Sequence, residues 1–122
     1  MPTIFSQSRE NPSVPRSIDL AGLTVAEVQA GFGAGVFTSA SLTQACLDRI
    51  ARYNARYVAL ITMNPDALRD ARAIDQRRAQ GEVLGPLAGV PVVVKDTRDR
   101  AGLPTTGGWR LLSARAGGAC AG

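Results

Sequence analysis

The sequence predicts an α/β fold, on two observations. In the first half, apolar residues recur at helical intervals behind helix-start signals. In the second half, "VPVVVKD", residues 90–96, runs apolar without alternation, the pattern of a strand covered on both faces of a sheet. The chain is 122 residues long and 45% hydrophobic with 5% aromatics, so one small domain with an aliphatic core is the scale to expect.

Each element has its own warrant. Residues 1–17, "MPTIFSQSRENPSVPRS", are rich in proline and serine and read as a poorly ordered leader. "LTVAEVQAGFGAG" opens on a capping box: the Thr24 hydroxyl accepts from the Glu27 amide while the Glu27 carboxylate reaches back, and Leu23 and Val28 form the flanking hydrophobic staple. Gly31, Gly33 and Gly35 keep this helix short. In "TSASLTQACLDRIARYN", Thr38 or Ser39 caps a second helix, with Leu42, Cys46, Ile50 and Tyr53 on one face. "YVALIT", residues 57–62, reads as a strand. Asn64 as N-cap and Pro65 at the first helical position start a third helix that stops at Gly81. The order is helix, helix, strand, helix, strand.

Composition narrows the chemistry. There is no histidine, so the commonest general base and zinc ligand are both missing, and acid–base work falls to Lys, a carboxylate or Tyr. Cys46 and Cys120 have no metal-ligand spacing and follow no secretory leader; no cofactor is implied, and the setting is expected to be cytoplasmic. Cys46 reads as a small buried hydrophobe. The net charge of +4 is spread without a basic block, so no direct nucleic-acid partner is indicated; Arg49, Arg52 and Arg56 read as a solvated helix face. No apolar run is long enough to cross a membrane.

One residue is out of place. Lys95 is the only lysine in the chain and ends an apolar run. A bland reading has its stem run along the strand to water, with the ammonium pairing with Asp96 or Asp99. The functional reading is that the carboxyl end of such a strand is where α/β sheets place ligands, and that a desolvated amine loses its proton readily enough to act as a base.

The words around Lys95 favour the second reading. "LGPLAGVPVVVKDTRDRAGLPTTGGW", residues 84–109, resembles the lysine-bearing segment of the amidase signature family, and the resemblance extends from about Ile18 to Leu112. It implies an N-terminal part of the amidase signature fold, a mixed sheet flanked by helices that is incomplete in this chain. It also implies hydrolysis of carboxamide C–N bonds by a serine nucleophile, a second serine on a cis peptide bond, and a lysine completing the proton relay. Lys95 matches that lysine. Asp96 matches the position that follows it and is expected to support local hydrogen bonds, Thr105 and Thr106 to satisfy turn backbone, and Gly89 and Gly102 to form turns.

The match has gaps. Neither relay serine is present: Ser113, the one serine beyond Lys95, lacks flanking glycines, and "GGACAG" with Cys120 has no hydroxyl. Arg98 and Arg100 stand where the family tends to carry apolar residues, and Trp109 where a serine is frequent. With one other strand to pair "VPVVVKD", and a small-residue tail at 113–122, the expectation is a truncated piece, inactive alone, with residues 18–112 as its amidase part. A small carboxamide would be substrate only once the site is completed. The alternative is an interaction module, or half of a split enzyme, that folds on a complementary chain.

Overall fold

The structure, a computed structural model, describes residues 18–112. The expected leader 1–17 and the tail 113–122, with Ser113 and Cys120, lie outside the described residues.

Three helices form the frame: α1 Val25–Ala34, α2 Ser39–Tyr57 and α3 Ala67–Ala79, followed by a short 3-10 turn at Arg110–Leu112. The α1 start is the capping box read from sequence, with the Thr24 amide donating to Glu27 Oε2 at 2.8 Å and the Glu27 amide to Thr24 Oγ1 at 3.3 Å. The box holds the Glu27 carboxyl below its usual range, chiefly through the Thr24 amide and then its hydroxyl. Gly35 closes α1 at φ 68°, a left-handed position that suits a residue without Cβ. Gly31 serves packing instead: a Cβ there would lie 2.5 Å from Phe37 Cζ. A second box, Thr38 with Ser41, opens α2.

The core is small. Val28, Phe32 and Leu42 are buried together, with Leu23, Phe37 and Val90 among the residues packed around them. The Phe32 and Phe37 rings meet edge to face, 5.5 Å between centroids. α2 and α3 pack on each other, burying Ala71.

The sheet expectation is not met among the described residues, which contain no strand and only an isolated antiparallel bridge between Arg100 and Leu103. Tyr57, expected to begin a strand, is the last residue of α2. The reason is local. Val58 takes the left-handed cap position at φ 49°, its amide donating to the Asn54 carbonyl, while the Asn54 side chain exchanges two bonds of 2.9 Å with the backbone of Leu60. Asn54 thus ties down the turn that a strand would need straight. α3 also begins two residues later than Pro65, with Asp66 as N-cap; Asn64 Oδ1 accepts from the Asp66 amide at 3.0 Å in the turn before it. Residues 90–95 carry no regular secondary structure, and no ladder pairs them among the described residues, because a ladder needs a second strand beside it.

Candidate functional site

The lead-in to Lys95 is fixed by a polar cluster that joins all three helices. Both Asp75 carboxylate oxygens, from α3, accept from the first amides of α2, Ser39 at 2.8 Å and Ala40 at 2.9 Å. This satisfies helix-terminal donors and places negative charge at a positive helix end. Arg78 pairs with Asp75 at 3.2 Å, donates to the Ala88 carbonyl at 3.0 Å and stacks on Phe32 with its guanidinium carbon 4.3 Å from the ring centroid. Ser39, only 1% exposed, donates from Oγ to the Gly89 carbonyl at 2.7 Å. Gly89 sits at φ 82°, where a Cβ would meet Ser39 Oγ at 2.9 Å, so both the turn and the close approach require glycine. Gln29 of α1 adds a 2.7 Å bond to the Pro86 carbonyl.

A second cluster fixes the chain just after Lys95. One Asp96 oxygen accepts from the Thr106 amide at 2.9 Å; the other accepts from the Thr106 hydroxyl and from the Gly108 amide at 3.2 Å. The Asp96 carbonyl takes the Gly107 amide at 2.9 Å. The Thr106 hydroxyl, then its amide, then the Gly108 amide hold the Asp96 carboxyl below its ordinary range. Thr105 donates to the Arg98 carbonyl at 3.3 Å, and the Arg98 amide to the Lys95 carbonyl at 3.0 Å. Asp96 and the two threonines therefore make the local bonds expected of them, and Gly102 is a turn glycine at φ 78°.

Between the clusters, Val92 and Val93 are 72% and 76% exposed, and their backbone has no partner among the described residues. Lys95, itself exposed, lines an open cleft of about 780 Å³ whose walls include Ile50, Ala71 and Ile74 of the two packed helices and Val92 and Val94. No ion pair to Lys95 forms among the described residues; the Asp96 carboxylate is taken up by Thr106 and Gly108. Cys46 also lines the cleft, half-buried, and desolvation pushes its thiol up, away from the thiolate a nucleophile needs. Among the described residues no three of His, Cys, Asp and Glu converge on a metal-sized site, and no helix is long and apolar enough to cross a membrane.

Residues Asp75, Arg78 and Ser39 were not foreseen as positioning groups. Asp75 and Arg78 stand at i, i+3 on a helix, which signals a pair but not the helix end and loop they serve.

Residues 41–117 match the Amidase family. Over 96 residues the chain is 48% identical to a protein of Salinispora arenicola and 46% identical to one of Chloroflexus aurantiacus, each named as a glutamyl-tRNA(Gln) amidotransferase subunit, covering 78% of this chain and 20% of the relative. Among solved structures, the native peptide amidase of Stenotrophomonas maltophilia superposes with a TM-score of 0.76 at 39% identity, covering 79% of this chain and 20% of that one. The chain thus spans about a fifth of the length of the relatives it matches.

Proposed function

Since the chain belongs to the amidase family, we propose that it contributes the lysine-bearing part of an active site that cleaves carboxamide C–N bonds, with Lys95 as the proton-relay base. The neutral amine of Lys95 takes the proton of a bridging serine, that serine deprotonates the nucleophilic serine, and the proton returns along the relay to the leaving nitrogen. Backbone amides near the nucleophile stabilise the tetrahedral oxyanion.

The observation that carries this reading is the placement of Lys95 on an open cleft wall between two clusters that fix the chain on either side of it. Neither serine of the relay has a match between residues 18 and 112. The two serines there, Ser39 and Ser41, sit at the start of α2, and Ser39 is committed to Gly89. The 122-residue protein alone therefore lacks turnover in this reading, because members of such a relay act as a unit. Relatives named as a peptide amidase and as an amidotransferase subunit match over a similar fifth of their lengths, and those names support a reading of chemistry at an amide. A cytoplasmic setting belongs to the same proposal.

The test is reconstitution. The purified protein is assayed on simple carboxamides alone, and again with a polypeptide carrying the remaining, serine-bearing part of a peptide amidase. Turnover only in the mixture, lost in Lys95→Ala, is expected. Turnover by the protein alone that survives Lys95→Ala would falsify the reading.

A second reading, a docking module without catalysis, is favoured by the uncovered Val92 and Val93. It predicts that the same complementary chain binds with no gain in turnover.

A further inference from the structure

Five charged side chains line the Lys95 cleft: Asp70, Lys95, Asp96, Arg98 and Arg100. The two carboxylates are already engaged. Asp70 pairs with Arg69 at 3.2 Å, and Asp96 holds Thr106 and Gly108. The cations are not: Arg98 has no carboxylate partner among the described residues, and Arg100 gives one bond, 3.1 Å, to the neighbouring Ala101 carbonyl. The loop that carries both arginines is closed at its base by Asp96, by the Arg98 amide on the Lys95 carbonyl and by the Arg100–Leu103 bridge. Arg98 and Arg100 thus line, from a loop closed at its base just beyond Lys95, a cleft whose other walls are largely apolar.

We propose that Arg98 and Arg100 select carboxamides that carry a carboxylate, such as the half-amide of a short dicarboxylic acid. The proposal rests on the reading of this cleft as an amide-binding site. A guanidinium is planar, weakly hydrated and matched to a carboxylate through two parallel bonds, and apolar walls strengthen its field in the cleft. A neutral amide of the same size can accept a bond from either arginine but gains no charge pairing.

The experiment is an amide NMR titration of the 122-residue protein with succinamate and, separately, with the neutral diamide succinamide. Succinamate is expected to give saturable shifts between Lys95 and Gly108, with affinity about tenfold or more above succinamide, and the difference to shrink as ionic strength rises. The double variant Arg98→Gln, Arg100→Gln abolishes the difference, whereas Arg52→Gln, on the exposed face of α2, leaves it. Equal binding of the two probes, no saturable binding of succinamate, or a preference that survives the double variant overturns the proposal; unchanged helical circular dichroism shows that the variant is folded. Lys95→Ala keeps the preference but abolishes reconstituted turnover, so this inference and the relay reading can fail independently.

Discussion

Gly89 and Val93 lie four residues apart and live in opposite worlds. Around Gly89 the backbone is held by Ser39, Arg78 and, through Pro86, Gln29, with charges and helix ends mutually satisfied. At Val92 and Val93 the side chains are largely exposed and the backbone has no partner among the described residues. The difference teaches where this chain's stability resides. Ordering residues costs about 1–2 kcal/mol each, which the three-helix cluster offsets by burial and pairing and the valine run does not. The framework therefore presents Lys95 on a segment anchored at both ends and open in the middle.

Four substitutions sharpen this contrast. The largest effect is expected at Asp75→Ala, which strips two helix-terminal amides and Arg78 of their acceptor together; a loss of about 2–3 kcal/mol by denaturant unfolding is predicted. If the cost is under about 0.5 kcal/mol, the cluster does not hold the fold. Gly31→Ala comes next, at about 1–2 kcal/mol, because displacing the Phe37 ring outweighs the better helix propensity of alanine. Thr24→Ala, which removes one side of the first capping box, should cost about 1 kcal/mol and fray α1 alone. The smallest effect is expected at Val93→Lys, within about 0.5 kcal/mol in the protein alone, since an exposed side chain gives up little burial. The same change should block complementation, and a large loss of stability in its absence would mean that the run is covered after all.

Acid probes the loop beyond Lys95. The folded Asp96 carboxyl titrates below its unfolded value, so its contribution is complete above the unfolded carboxylate pKa of about 3.9 and is lost as pH falls through the folded value. Exchange protection of the Thr106 and Gly108 amides, which donate to that carboxylate, should therefore drop in acid while that of α2 persists. Asp96→Asn should remove this acid step; a step that survives it belongs to another group.

The helical half of the fold was legible in the sequence because its determinants are local. The Thr24–Glu27 box closes over three residues and the Leu23–Val28 staple over five, and the cap of α2 at Thr38 or Ser39 resolves to Thr38, where the structure adds a box with Ser41. That Asp96 and the threonines would make local bonds was legible through the wording of the segment, though not that they would bond each other. The cluster beneath Gly89 was not, because its bonds join Ser39 to Asp75 and Gly89, positions 36 and 50 residues away, and no spacing rule reaches that far. The strands expected at 57–62 and 90–96 do not form among the described residues, for a related reason. β-branched runs state a preference for a pleated, half-buried surface, but a strand exists only with a partner, whereas a helix satisfies its own backbone. At Tyr57 a strong local signal, Asn54 clamping Leu60, settled the matter for helix followed by a turn.

Hydrogen exchange at single amides of the purified 122-residue protein reads the contrast between the two regions most directly. The amides of Val92–Val94 should exchange near the free-chain rate, roughly a hundredfold or more faster than those of mid-α2, and should become protected when the serine-bearing complement is added. Protection of the valine amides equal to that of α2 in the protein alone would contradict an open, waiting segment beside Lys95.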